Sequence, residues 1–122
     1  MATVTPTVNA DLTGDGSVAM FTWALTTANS DGLPAQWIEW SDRTFTATGA
    51  FGGGTLTIQG SNDGSTWVTL SDAAGGTDAT ATADKAITVV ELTRYVRPNL
   101  TGSTAATVSV VLVARKNTPM RT

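Results

Sequence analysis

The stretch from Gly54 to Leu70, GTLTIQGSNDGSTWVTL, constrains the fold more than any other part of the chain. Thr55, Leu56, Thr57, Ile58 and Gln59 alternate polar and apolar, the period-two pattern of a strand with one face in a core. Ser61-Asn62-Asp63-Gly64-Ser65 then gathers residues that tolerate positive φ or hydrogen-bond their own backbone, so the chain reverses there. Trp67 to Leu70 returns as a second strand, and the pattern predicts Trp67 in the core beside Leu56 and Ile58.

The rest of the chain supports an all-β reading. Threonine supplies about one residue in five and the 12 glycines are not periodic, so the chain is neither a collagen-like fibre nor rich in helix formers. At 122 residues it suits one domain with a real core. Residues 1–16 read as an extended N-terminal arm, with Val4, Pro6 and Val8 suited to an edge. Asp11-Leu12-Thr13-Gly14-Asp15-Gly16 imitates half of a calcium loop, but Thr22 stands where a bidentate Glu is needed, so a plain turn is expected. Ser17 to Thr26 is a strand with two apolar faces: Ala19, Phe21, Trp23 and Leu25 on one, Val18, Met20 and Ala24 on the other. The second face needs a cover, either the chain's own arm or another subunit.

Further along, Trp37 points opposite to Ile38 and Trp40, which predicts at least one of these tryptophans near the surface. Arg43 to Phe51 alternates cleanly, with Phe45, Ala47, Gly49 and Phe51 on one side and Thr44, Thr46 and Thr48 on the other. Gly52-Gly53-Gly54 lacks the Lys-Ser/Thr ending of a phosphate loop and reads as a turn. Ser71 to Asp84 reads as an edge strand or a long loop. Lys85 to Leu92, Arg94 to Pro98 and Thr107 to Ala114 complete eight or nine short strands. The architecture expected is an antiparallel β-sandwich over residues 17–114, jelly-roll-like, with a basic C-terminal tail over 115–122.

Charge is divided along the chain. Residues 1–84 hold nine acidic groups against Arg43 alone, whereas residues 85–122 hold six basic groups against Glu91. Such asymmetry suits opposite charge on a partner or on a neighbouring copy. Nucleic acid is not the expected partner, because basic groups are few and the net charge is −3. The chain has no cysteine and no histidine, which removes thiolate metal sites, disulfides and the commonest general base. Asp31, Glu39, Asp42, Asp63 and Glu91 are the remaining acid–base candidates, and their spacing implies no catalytic pair. No metal, cofactor or catalytic role is expected. The absence of an apolar span and of a basic leader predicts synthesis in the cytoplasm as a soluble chain, with no membrane partner.

Two separated motifs carry a family resemblance. Gln59-Gly60-Ser61-Asn62-Asp63-Gly64-Ser65-Thr66-Trp67 resembles the hairpin of discoidin-type domains, the C-type modules of coagulation factors, and Arg94-Tyr95-Val96-Arg97 resembles the strand near their end. The resemblance implies a jelly-roll sandwich and covers about 60 residues. It departs from the family in lacking the terminal cysteine pair and in its N-terminal half, so no ligand loop transfers. As a whole, the cysteine-free, Thr/Ala/Gly-rich chain with arm and tail resembles small phage virion proteins, above all capsid decoration (cement) proteins. That resemblance implies a virion structural role in which the chain binds the major capsid protein and copies of itself as a dimer or trimer. The expected interface comprises Val4, Val8, Met20, Trp37, Trp40, Arg115, Lys116 and Arg121. The alternative is a discoidin-like carbohydrate-binding module that takes a surface glycan through Trp37 or Trp40.

Overall fold

In the computed structural model, residues 3–4, 7–9, 18–36, 40–73, 77–91 and 93–116 are described. They form strands and turns with no helix. In chain order the strands are β1 (Thr3–Val4), β2 (Thr7–Asn9), β3 (Val18–Thr26), β4 (Asp31–Gly32), β5 (Ala35–Gln36), β6 (Trp40–Ala50) and β7 (Thr55–Ser61). The remainder are β8 (Val68–Thr69), β9 (Ser71–Asp72), β10 (Thr77–Asp78), β11 (Thr80–Ala81), β12 (Lys85–Thr88), β13 (Tyr95–Thr101) and β14 (Thr107–Lys116).

Two sheets carry the fold. Sheet I runs β1-β4-β13-β7-β11, with β5 on β13 and β8 on β7; sheet II runs β12-β6-β14-β3-β2. Among the described residues all pairings are antiparallel except β1 with β4. β3, β6, β12 and β14 lie in sheet II, while β4, β7 and β13 lie between them in sequence and in sheet I. The last strand inserts between β3 and β6 rather than beside its predecessor. This alternation of the chain between two sheets is the weave of a jelly roll, so the sandwich expected from the sequence is the one observed.

Alternation decides which side chains meet between the sheets. β3 contributes Ala19, Phe21, Trp23 and Leu25; β14 contributes Val108, Val110, Leu112 and Ala114; β6 contributes Phe45 and Ala47. Leu56 and Ile58 of β7 with Val96 and Leu100 of β13 close the core from sheet I. Trp23 sits at its centre, 6.2 Å from Phe21 and 6.3 Å from Phe45 between ring centroids, and its Nε1 donates to the Leu33 carbonyl at 2.8 Å. Burying the indole therefore leaves no orphaned donor.

Residues 71–84 are neither one edge strand nor one loop. β9 and β10 pair with each other, β11 pairs with β7, and Ala79 and Ala81 are buried. Asp72 is buried as well and lies 3.5 Å from Lys85 Nζ. The Gly52-Gly53 turn has φ of 58° and 75° at its two glycines, as a tight reversal between β6 and β7 requires. Part of the N-terminal arm joins the sandwich, since β1 edges sheet I and β2 edges sheet II. The calcium-like stretch 11–16 lies outside the described residues.

Candidate functional site

Two outward surfaces are chemically unusual. The first is the outer face of sheet II. The inward residues of each strand fix their neighbours as outward. Register then sets Thr88, Thr44, Val113 and Met20 in one row across four strands, and Ala86, Thr46, Val111, Thr22 and Thr7 in the next across five. Thr48, Ser109 and Ala24 form a third row. None of these side chains is charged. Met20, Thr22, Val111 and Val113 are half-buried, and the others are exposed. Thr44 and Thr88 tie two strands together through their hydroxyls at 3.1 Å. Short β-branched side chains suit a pleated surface and lose little entropy on contact.

The sequence-predicted interface residues are placed as follows. Met20 lies on this face, register-paired with Val113. The backbones of Trp40 and Lys116 are opposed in β6 and β14, next to a register shift, and Arg115 is opposed to both Val18 and Asp42. Those positions gather at one end of sheet II, the end that Met20 also occupies. Val4 lies in β1, and Val8 in β2 is register-paired with the core residue Phe21. Trp37 and Arg121 lie outside the described residues.

The second surface corrects the expectation for Trp67. Its ring does not enter the core; it is half-buried on the outer side of sheet I. Val96 and Leu100 of β13 point inward, so Tyr95 and Arg97 point outward, and Gln59 stands opposite Arg97 in β7. Trp67 lies against this pair. The Arg97 guanidinium carbon is 4.0 Å from the Trp67 ring centroid, Trp67 and Tyr95 are 6.4 Å apart at a tilted 58°, and the Arg94 guanidinium carbon is 5.3 Å from the Tyr95 ring. Four side chains thus form one continuous ladder, Arg94–Tyr95–Trp67–Arg97. The register slips because residues 62–66 form a turn that delays pairing until Val68, which opposes Gly60. Sequence periodicity across Thr66 to Leu70 assumed an uninterrupted strand.

The turn beside the ladder is held by Asp63. Its Oδ1 accepts from Ser65 N and Thr66 N at 2.8 Å each and from Ser61 Oγ at 3.0 Å. Ser61 Oγ in turn accepts from Gly64 N at 2.8 Å, and Asn62 Oδ1 accepts from Arg94 N at 3.2 Å. The backbone donors of Thr66 and Ser65, with the Ser61 hydroxyl, hold the Asp63 carboxyl at about 2, below its ordinary 3.8. A shallow concavity of about 260 Å³ follows the inside of the turn. Its one ionisable group is Asp63, which is committed to the turn.

Arg97 donates from Nε to Gln59 Oε1 at 2.9 Å. Partial burial lowers its pKa, and the Asp31 carboxylate on β4 offsets part of that. Among the described residues no carboxylate lies within ion-pair distance of Arg94 or Arg97. Arg43 is different. It is 3% exposed and donates to the Thr93 carbonyl at 2.6 Å.

The acid–base candidates do not converge. Glu91 accepts from Ser71 N and Ser71 Oγ, both at 2.8 Å, and the Ser71 backbone donor pulls its pKa down. Asp63 serves the turn, and Asp31 lies on β4. Glu39 is outside the described residues. No group of three potential metal ligands occurs among the described residues. Among the described residues no helix is long and apolar enough to cross a membrane. Comparison with known proteins finds no matching family model and no significant match among curated sequences.

Proposed function

We propose that this chain is a virion structural protein, a decoration protein that stabilises a phage head through contacts with the capsid shell and with copies of itself. It has no catalytic role in this reading. The observation that carries it is the outer face of sheet II, whose three central rows, from Thr7 on β2 to Thr88 on β12, hold no charge, with Asp42 and Arg115 at the outward register positions of the row beyond Met20. Ordinary soluble surfaces mix charged residues at about a quarter to a third of positions, so a five-stranded neutral face favours burial against protein. The opposed ends of β6 and β14, with Arg115 and Lys116 beside Trp40, continue that face towards a basic tail. A neutral contact with a charged margin fits attachment that weakens with salt.

The test is direct. Purified chain added to phage heads that lack it should co-sediment with them and raise the temperature at which they open. A chain that ignores the heads defeats the reading. The alternative is a glycan-binding module, and the tilted Trp67–Tyr95 pair beside Asn62 favours it, because sugars lie on exposed aromatic rings. A neutral oligosaccharide that binds the monomer and is lost on Trp67→Ala supports that alternative.

A further inference from the structure

We infer that the Arg94–Tyr95–Trp67–Arg97 ladder is a receptor for an acidic segment of another protein chain. The site is built before any partner arrives. Arg97 is stacked on Trp67 at 4.0 Å and fixed through Nε by Gln59 at 2.9 Å, leaving the terminal amino groups as its remaining donors. A carboxylate accepts from such a planar fork in two parallel hydrogen bonds. Arg94 lies on the other end of the ladder over Tyr95, and its backbone N–H is held by Asn62. Stacking has already restricted the arginine rotamers, so less ordering remains to oppose binding.

Charge argues for the partner's chemistry. The chain is acidic overall, yet among the described residues no carboxylate comes within ion-pair distance of either guanidinium group; Asp31 on β4 attracts Arg97 only from farther off. Trp, Tyr and Arg are also the residues that dominate protein interfaces, with the aromatic rings excluding water from the charge pair. A neutral sugar needs no guanidinium. A nucleic-acid strand needs a basic groove along its backbone, whereas the ladder offers only two guanidinium groups. The inference does not depend on the capsid reading, and its test uses the purified chain alone.

Fluorescence anisotropy with a labelled twelve-residue peptide of alternating Glu and Ala tests it, against the Gln-Ala peptide, an oligouronate and an oligothymidylate. The Glu peptide should bind and weaken with added salt. Arg97→Gln and Trp67→Ala should each lower its affinity about tenfold or more, and Arg97→Lys should not restore it, because an ammonium lacks the fork. All three variants should stay folded by circular dichroism. No binding of the Glu peptide, equal binding of the Gln peptide, indifference to Arg97→Gln, or preference for the uronate or the thymidylate overturns the inference.

Discussion

Trp23 and Trp67 illustrate how one residue type takes opposite roles in the same sandwich. Trp23 is fully buried between Phe21 and Phe45 with its N–H satisfied, whereas Trp67 makes its contacts with Arg97 and Tyr95 on the outside. Trp23→Ala should therefore cost about 3–5 kcal/mol in urea denaturation, because it opens a cavity that the sheets cannot close. Trp67→Ala removes one ring pair and one cation–π contact, and should cost about 1–2 kcal/mol. Equal losses from the two variants would contradict the placement of both rings. At the turn, Asp63 titrates at about 2 in the folded chain against an ordinary 3.8. Between those values the unfolded chain binds more protons than the folded one. The carboxylate's stabilising effect is thus complete above about pH 4 and disappears as pH falls through 2. A carboxyl-carbon NMR titration of Asp63 with its midpoint near the ordinary value would refute the hydrogen-bonded turn.

At the level of elements, strands with an uninterrupted two-residue period were legible and those with a break were not. In β3, β6 and β7 the expected inward residues Phe21, Phe45 and Ile58 are all buried. Met20 was likewise legible as a residue on the second face of β3. Trp67 was not, because a turn ending at Thr66 shifts the pairing, and nothing in the alternation marks where a ladder restarts. The short strands of 71–84 were hidden for a related reason: Ala79 and Ala81 are buried but too small to give a hydrophobic signal, and the third buried one among the described residues there, Asp72, is charged. Arg43 broke the rule that charge stays outside; its guanidinium finds the Thr93 carbonyl, a contact 50 positions away that no local pattern encodes. Within β6, Gly49 is an element-level requirement. Its φ is 127°, and an added Cβ lies 2.3 Å from the Thr107 carbonyl oxygen on β14. Gly49→Ala must either strain the backbone or part β6 from β14, and should cost at least about 1–3 kcal/mol. An unchanged thermal midpoint would show that the two strands separate there without penalty.

For the whole molecule, the jelly-roll weave leaves sheet II with one face in the core and one face whose three central rows are Thr, Ala, Ser, Val and Met. Five strands about 4.8 Å apart and outward residues about 6.8 Å apart along each strand give this face roughly 24 Å by 20 Å. Two such faces pressed together bury about 1,000 Å², the size at which stable interfaces begin. A twofold contact sets the face against its own copy and brings identical residues together near the axis, where like charges would repel; the three central rows carry none, and Asp42 and Arg115 stand at the margin. Val111 lies on β14, the middle strand of the five, with Thr46 and Thr22 beside it. The purified chain should show concentration-dependent association in sedimentation velocity. Val111→Lys should weaken that association about tenfold or more, since it sets two ammonium groups against each other at the centre of the contact. The variant should keep its strand signal in circular dichroism, because a half-buried lysine runs its stem along the sheet and its charge to water. Val111→Thr, which adds polarity without charge, should associate nearly as the parent does. A parent chain that remains monomeric at several hundred micromolar, or a Val111→Lys chain that associates as strongly, would assign this face to the shell alone.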